Sequence, residues 1–265
     1  MLAERAIARL TLGPSASRGL GEFTSDLSVE ELASIEKVGF EARELVTGSC
    51  VFRVGWQFVG WREAREVEAL SSAMYDSRAR AMSRLVADAT RAGADGVVGV
   101  RLDIDFDQWG DGLGEFNAIG TAVRHRQRPG SFRRPTGEIF TSDLSGQDLW
   151  ALLRTGYRPL GLVMGCCVYH YAPQTVSGWL SRVRQNAELE NLTEAFYSAR
   201  ELAMDRMQKE AMQLGAEGVV GVTVTEKAHV WGAHTLEFLA LGTAVRTMES
   251  VPATDAPTMV RRLDV

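Results

Sequence analysis

Apolar residues recur at helical spacing in two stretches of each half of the chain. The shorter stretch follows Ser28, which can cap a helix and pair with Glu31 in a capping box, and it ends at Gly39. The longer stretch has its stripe positions three and four residues apart: Tyr75, Arg78, Met82, Leu85 and Ala89, with Tyr197, Arg200, Met204, Met207 and Ala211 as counterparts. This stripe predicts a long core-facing helix whose arginine packs its stem and extends its charged head to solvent.

Three strands are predicted around each long helix. Residues 160–169 are apolar or small on both faces, which is typical of a strand covered on both sides, and Gly48 and Gly165 indicate a close backbone approach. Residues 96–104 alternate with the two-residue period of a strand, and residues 115–124 have small side chains against which a helix can pack. The pattern predicts the α+β class: a short helix, then β-α-β-β, with an antiparallel three-stranded sheet packed on one long helix in two layers.

The predicted unit occurs twice. Phe23–Ser28 recurs letter for letter as Phe140–Ser145, and Gly93–Val100 recurs with one substitution as Gly215–Val222. Such matches predict tandem repeats. They divide the chain into an N-terminal extension (1–22), repeat 1 (23–125), a solvated basic linker (126–139), repeat 2 (140–247) and a flexible C-terminal tail (248–265).

A single helix covers only one face of a three-stranded sheet. The other face of each predicted sheet is also rich in apolar residues, and a wet apolar face of that size is unfavourable. We therefore expect either that the two repeats pack together or that chains form a ring by pairing sheet edges.

The repeated motifs resemble those of the YbjQ-like proteins, a family described as heavy-metal-binding. The resemblance rests on the Gly-Ala-x-Gly-Val-Val-Gly-Val turn, the preceding helix with its Tyr…Arg…Ala-Met pattern, and the closing Gly-Thr-Ala-Val. It covers about residues 39–124 and 156–246. It implies a dodecin-like β-α-β-β subunit and a homo-oligomeric ring, commonly pentameric. The tandem arrangement and the extra short helix before each copy depart from the usual single-domain form.

Composition and charge exclude several classes of function. The 45% hydrophobic and 24% charged residues are typical of a globular protein, and the net charge of −5 argues against a nucleic-acid partner. Three cysteines cannot form a disulfide framework, and the odd count fits a reducing compartment. No apolar run reaches the roughly 18–20 residues of a membrane span, and the N-terminus lacks a secretory signal. A cytoplasmic protein without membrane insertion is expected.

Metal binding is the first chemical hypothesis, because the resemblance raises it. The candidate ligands are Cys166, Cys167 and His170, together with Cys50 in repeat 1. On a strand, Cys166 and His170 share a face and Cys167 points away. Only the Cys50/Cys167 position is a cysteine in both repeats, and a buried cysteine is commonly a small hydrophobe. Both interpretations stay open, and no other cofactor is expected.

Two further matched sets are candidate ligand or interface residues. Glu115 and Glu237 begin the last strand of each repeat, where they could bind a cation or form salt bridges to Arg78 or Arg200. The aromatic set could stack a flat ligand or pack between subunits: Trp61, Trp109, Trp179 and Trp231.

The chain lacks the nucleophile-elbow, Walker, Cys-x-x-Cys and His-Glu-x-x-His motifs. The sequence therefore predicts a non-enzymatic, ring-forming binding or scaffold protein. The alternative is a protein that binds heavy-metal ions.

Overall fold

The computed structural model describes residues 23–53, 64–105, 113–171, 190–228 and 234–248. These residues form four helices and two four-stranded sheets, which confirms the α+β class and the two repeats. Repeat 1 contains α1 (Val29–Lys37), β1 (Phe40–Arg53), β2 (Arg65–Glu66), α2 (Glu68–Arg91), β3 (Gly96–Asp105) and β4 (Leu113–His125). Repeat 2 contains β5 (Phe140–Thr141), α3 (Gly146–Arg154), β6 (Tyr157–His170), α4 (Glu190–Gln213), β7 (Gly218–Ala228) and β8 (Thr235–Thr247). Among these described helices, none combines the length and apolarity needed to cross a lipid bilayer.

The short helices begin where the sequence predicts. The Ser28 hydroxyl accepts a hydrogen bond from Glu31 N (3.2 Å), and the Glu31 carboxylate accepts one from Ser28 N (2.7 Å), which forms the predicted capping box. In repeat 2, the Ser145 hydroxyl accepts a hydrogen bond from Asp148 N (3.1 Å). Both caps satisfy backbone amides that the first helical turn leaves without partners.

Each sheet has the three predicted antiparallel strands and one short additional strand. The strand orders are β1-β4-β3-β5 and β2-β6-β8-β7. The fourth strand comes from the other repeat, because β5 pairs in parallel with β3 and β2 pairs antiparallel with β6. Each sheet therefore contains one strand more than the three expected, because a two-residue strand of each repeat pairs with the sheet edge of the other repeat.

The glycines inside β1 and β6 bring each long helix against its sheet. A Cβ atom on Gly48 would lie 2.1 Å from the Ala81 carbonyl oxygen, and one on Gly165 would lie 1.7 Å from the Ala203 carbonyl oxygen. Only a residue without a side chain permits this approach. Helix α2 therefore packs tightly on β1, and α4 packs tightly on β6.

Helix α2 also packs against the sheet of repeat 2. One hydrophobic core joins Val46 and Phe116 of repeat 1 to Leu162 and Met164 of repeat 2. The two repeats thus bury apolar surface against each other, which is one of the two arrangements expected for their uncovered sheet faces.

The basic segment 126–139 is exposed over most of its length, but its one aromatic residue inserts into the core. The buried Phe132 ring stacks on His125 with 5.4 Å between ring centroids and meets Phe40 edge-on at 4.9 Å. Arg133 donates a hydrogen bond to the Ala94 carbonyl (2.8 Å), and Arg158 donates one to the Phe132 carbonyl (2.8 Å). The segment is therefore anchored to both repeats.

The buried His125 is expected to make stability depend on pH. Burial lowers its pKa, the positive charge of Arg128 lowers it further, and Asp95 opposes both effects. Because the unfolded chain then binds this proton more readily, the free energy of unfolding should fall as pH drops below about 6.5. Urea unfolding at about pH 7.5 and about pH 5.5 measures the loss. A His125→Gln variant should lose less over this interval, and an equal loss in both proteins would contradict the assignment.

Candidate functional site

An organised polar site lies between the repeats, where side chains of α2 bind the part of the β6 edge that β2 leaves unpaired. Cys166 N donates to the Tyr75 hydroxyl (2.9 Å), and Val168 N donates to the Ser71 hydroxyl (3.1 Å). Burial raises the pKa of Tyr75, so its hydroxyl stays protonated. These contacts satisfy backbone groups that no neighbouring strand reaches.

The Arg78 side chain extends from α2 into repeat 2 and provides the positive charge at the centre of the contact between the repeats. Its guanidinium donates to the Glu210 carboxylate (2.7 Å) and to the Leu162 carbonyl (2.9 Å), and the same carboxylate accepts from Met164 N (2.8 Å). Arg78 is only 8% exposed, so the expectation that its head reaches solvent is wrong. The sheet of repeat 2 covers the guanidinium, and the carboxylate that pairs with it belongs to Glu210.

A second ion pair lies at the other end of the contact between the two repeats. Arg206 on α4 binds both carboxylate oxygens of Glu66, with an Nη2–Oε2 distance of 2.7 Å, and also donates to the Cys166 carbonyl (2.8 Å). Burial raises the pKa of Glu66, but hydrogen bonds from Arg206 and Ser71 outweigh that effect and hold it below its usual value. Bidentate pairing of this kind fixes orientation as well as charge.

The predicted metal ligands are spread over different faces. Cys166 packs in the core that α2 shares with β6, and its thiol donates to the Ser71 carbonyl at 3.6 Å, whereas Cys167 packs in the core beneath α4. Cys50 lies in repeat 1 with its thiol 3.9 Å from the Val51 carbonyl, and His170 lies at the end of β6 beside β2. Within the described ranges, no group of three or more His, Cys, Asp or Glu side chains could hold a metal ion.

The environment of the two β6 thiols favours their protonated form. Burial raises the pKa of both Cys166 and Cys167 to about 12. A metal-binding cysteine must be a thiolate, which this environment disfavours near neutral pH.

Thiol labelling tests this conclusion. In a Cys50→Ala variant, the two remaining thiols should not react with Ellman's reagent at about pH 8 while the protein is folded, and both should react in guanidinium chloride. Rapid labelling of the folded variant would contradict the burial of these two thiols.

The remaining predicted residues are not brought together in the described structure. Glu115 and Glu237 lie in different sheets; Glu237 is buried opposite Val168, and Glu115 is partly exposed opposite Val51. Of the two arginines considered as their partners, Arg78 pairs with Glu210. The four candidate tryptophans lie outside the described residues: Trp61, Trp109, Trp179 and Trp231.

A cavity of about 1090 Å³ lies between the repeats beside the linker. Its lining is basic and includes Lys37, Arg128, Arg154, Arg158 and Arg246. Several of these charges have partners in the chain: Arg158 donates to the Phe132 and Arg133 carbonyls, and Arg246 lies 3.5 Å from Glu217. The cavity wall therefore holds the linker in place.

Among the described elements, no second sheet packs on the face of α4 that corresponds to the buried face of α2. A hollow of about 390 Å³ on α4 is lined by Leu192, Thr193, Phe196, Tyr197 and Arg200. Their counterparts on α2, at an offset of 122 residues, form the contact with β6: Leu70, Ser71, Met74, Tyr75 and Arg78. The matched Tyr and Arg are visible in the sequence, but Glu210 was not among the predicted residues. The acid retained at the same offset, Asp88, could have revealed it.

The fold and this contact define a class: a tandem α+β protein of two β-α-β-β modules joined through one shared helix. The chain belongs to the YbjQ family, whose description is "Putative heavy-metal-binding" and which matches residues 31–126 and 156–248.

Relatives of this chain have either two repeats or one. A Mycobacterium tuberculosis protein named encapsulin nanocompartment protein is 46% identical over 258 residues, which cover 96% of this chain and 98% of that protein. A UPF0145 protein of Helicobacter hepaticus is 34% identical over 100 residues, covering 37% of this chain and 93% of its own length. Another, of Archaeoglobus fulgidus, is 42% identical over 89 residues, covering 33% of this chain and 79% of its own length. The UPF0145 relatives thus correspond to about one repeat.

Proposed function

We propose that the chain is a non-enzymatic scaffold that assembles with copies of itself. The observation that carries this proposal is the unequal burial of the two long helices. Helix α2 is packed between two sheets, whereas α4 packs on one sheet and exposes Tyr197, whose counterpart Tyr75 lies in the contact between the repeats. An exposed apolar face whose counterpart is buried within the same chain is typical of an assembly surface.

The relatives support this proposal. The full-length relative carries the name of a nanocompartment protein, which denotes an assembled particle. By this likeness, the partner that we propose is the chain itself, in the cytoplasm and without a required cofactor. The resemblance noted above adds the finer expectation of a pentamer.

Light scattering coupled to size-exclusion chromatography tests the proposal on the full chain. We expect a molar mass that is a multiple of 29.0 kDa, and a mass near five times that value would support the pentamer. Any other multiple would support the scaffold and replace the pentamer. A mass of 29.0 kDa at every protein concentration would overturn the proposal.

A further inference from the structure

We propose that a second copy of the chain docks on the open end of repeat 2 by repeating, between chains, the contact that joins the two repeats within a chain. The inference rests on the proposed self-assembly and specifies its surfaces. The outgoing surface consists of α4 and β7 of one chain. The incoming surface consists of β1 and the segment Phe23–Ser28 of the next chain.

The sheet edge of repeat 1 shows how this contact is built. Ser142 N donates to the Val97 carbonyl (2.9 Å), Val100 N donates to the Ser142 carbonyl (2.9 Å), and Gly99 N donates to the Leu144 carbonyl (3.0 Å). The segment 140–145 thereby covers the β3 edge, and Val100 is 3% exposed.

No strand among the described residues pairs with the matching edge of repeat 2. Strand β7 has the same bulge as β3, with a positive φ at Gly221 (66°) as at Gly99 (65°). Its Val222, the counterpart of Val100, is 40% exposed. An uncovered strand edge with exposed valines is a template for pairing with another chain.

The segment that fits this edge is already held in position at the start of repeat 1. Phe23–Ser28 is identical to Phe140–Ser145. Its hydroxyls bind repeat 1 as their counterparts bind repeat 2: Ser25 lies 3.1 Å from the Thr121 hydroxyl, as Ser142 lies 2.9 Å from the Thr243 hydroxyl. Anchoring by side chains leaves the backbone to pair with Val219 and Val222 of another chain.

The α2 residues that form the helical part of the contact between repeats have counterparts on α4. Tyr75 and Arg78 of α2 recur as Tyr197 and Arg200 of α4, where Tyr197 is 55% exposed. On the receiving strands, Val168 of β6 is fully buried, whereas its counterpart Val51 of β1 is 51% exposed. Helix α4 of one chain therefore has an uncovered receiving strand in the next.

Charge complementarity identifies the ion pair of the new interface. Glu210, which binds Arg78, corresponds to Asp88 on α2. Arg200 of one chain should therefore bind Asp88 of the next, which in the single chain pairs with Arg91 on its own helix. By the same correspondence, the Tyr197 hydroxyl should accept a hydrogen bond from Ser49 N of the next chain.

One position modifies the correspondence. Gly146 of α3 packs against the Glu31 backbone, where a Cβ atom would lie 2.6 Å from the Glu31 carbonyl oxygen. The counterpart of Gly146 in α1 is Val29. The short helices of adjacent chains must therefore lie further apart than α1 and α3 do within a chain.

The two surfaces differ, so the proposed contact is head-to-tail, and its repetition produces a closed ring or an open filament. Each chain contributes two repeats, and a ring closed by this contact contains an even number of repeats.

Charge reversal across the proposed ion pair tests the helical half. Arg200→Glu and Asp88→Arg should each raise the dissociation constant of the assembly about 30-fold or more, and the double variant should restore most of the affinity. Lys209→Glu is the matched control, since it makes the same charge change on α4 at a position whose counterpart, Ala87, is exposed. Light scattering across a dilution series gives the readout.

Strand-edge variants test the other half. Val222→Lys should dissociate the assembly, whereas Thr223→Lys should not, because the counterpart of Thr223 is the exposed Arg101. If the wild type assembles and both the Arg200 and Val222 variants assemble equally well, this interface is wrong and the scaffold proposal stands. A monomeric wild type would overturn both.

Discussion

Replacing Gly165 with alanine should destabilise the chain by about 3 kcal/mol or more. The new Cβ atom would lie 1.7 Å from the Ala203 carbonyl oxygen and 2.7 Å from Met207 N. Both are backbone atoms of α4, so no side-chain rotation can relieve the overlap, and the helix must move away from β6. Overpacking in a close-packed core costs about 1–3 kcal/mol where the surroundings can yield, and this site has little freedom to yield.

Urea unfolding at one fixed protein concentration measures this effect, because assembly also contributes to apparent stability. Gly218→Ala is the matched control: it adds the same methyl group on a strand of the same sheet, where the nearest atom, Val245 Cγ2, is 3.9 Å away. Both substitutions are compared in the Val222→Lys background, because Gly218 lies on the β7 edge that the proposed interface covers. We expect the control to stay within about 1 kcal/mol of the wild type. A loss of less than about 1 kcal/mol for Gly165→Ala would contradict the close approach of α4 to β6.

Removing the Arg78 side chain should cost about 2–4 kcal/mol, because it deletes a buried charge and leaves the Glu210 carboxylate, which is 29% exposed, without its ion-pair partner. An Arg78→Ala variant removes the donor to the Leu162 carbonyl and leaves the Glu210 carboxylate with the Met164 amide as a donor but without a balancing positive charge. The free energy of unfolding should fall, while the shared core and the Arg206–Glu66 pair still join the two repeats.

Arg80→Ala is the control, because Arg80 is an exposed residue on the same helix and its truncation should change stability by no more than about 0.5 kcal/mol. Arg78→Lys keeps the positive charge but lacks the planar guanidinium, so it cannot donate to the Glu210 carboxylate and the Leu162 carbonyl in the same geometry. This variant therefore separates the contribution of the charge from that of the hydrogen-bond geometry. Unchanged stability in Arg78→Ala would show that this pair does not hold the repeats together.

Much of the fold could be predicted because local chemistry determines it. Ser28 and Glu31 form their capping box within one helical turn. A glycine inside a strand, such as Gly165, indicates that another backbone approaches the strand closely. The duplicated motifs assign both repeats to one architecture. The alternation along β6 also separates Cys166 from Cys167, and the structure places them in different cores.

The contacts between repeats could not be predicted in the same way. An apolar strand face indicates that it is covered but not by which element, so the packing of α2 on β6 was one of two open arrangements. The partner of Arg78 lies 132 residues away at Glu210, and no short-range period relates them. Phe132 sits in a run of polar and basic residues, which concealed its place in the core.

The shared helix has a consequence for how any particle made of these chains would come apart. Joining two modules covalently makes one of every two contacts insensitive to dilution, because its effective concentration is set by the connecting segment. The contact within a chain includes Met164 and Cys166 of β6. The corresponding positions in the proposed contact between chains are the polar residues Thr47 and Ser49 of β1. Dilution should therefore release intact two-module blocks, and a population of single modules should appear only when the polypeptide itself unfolds.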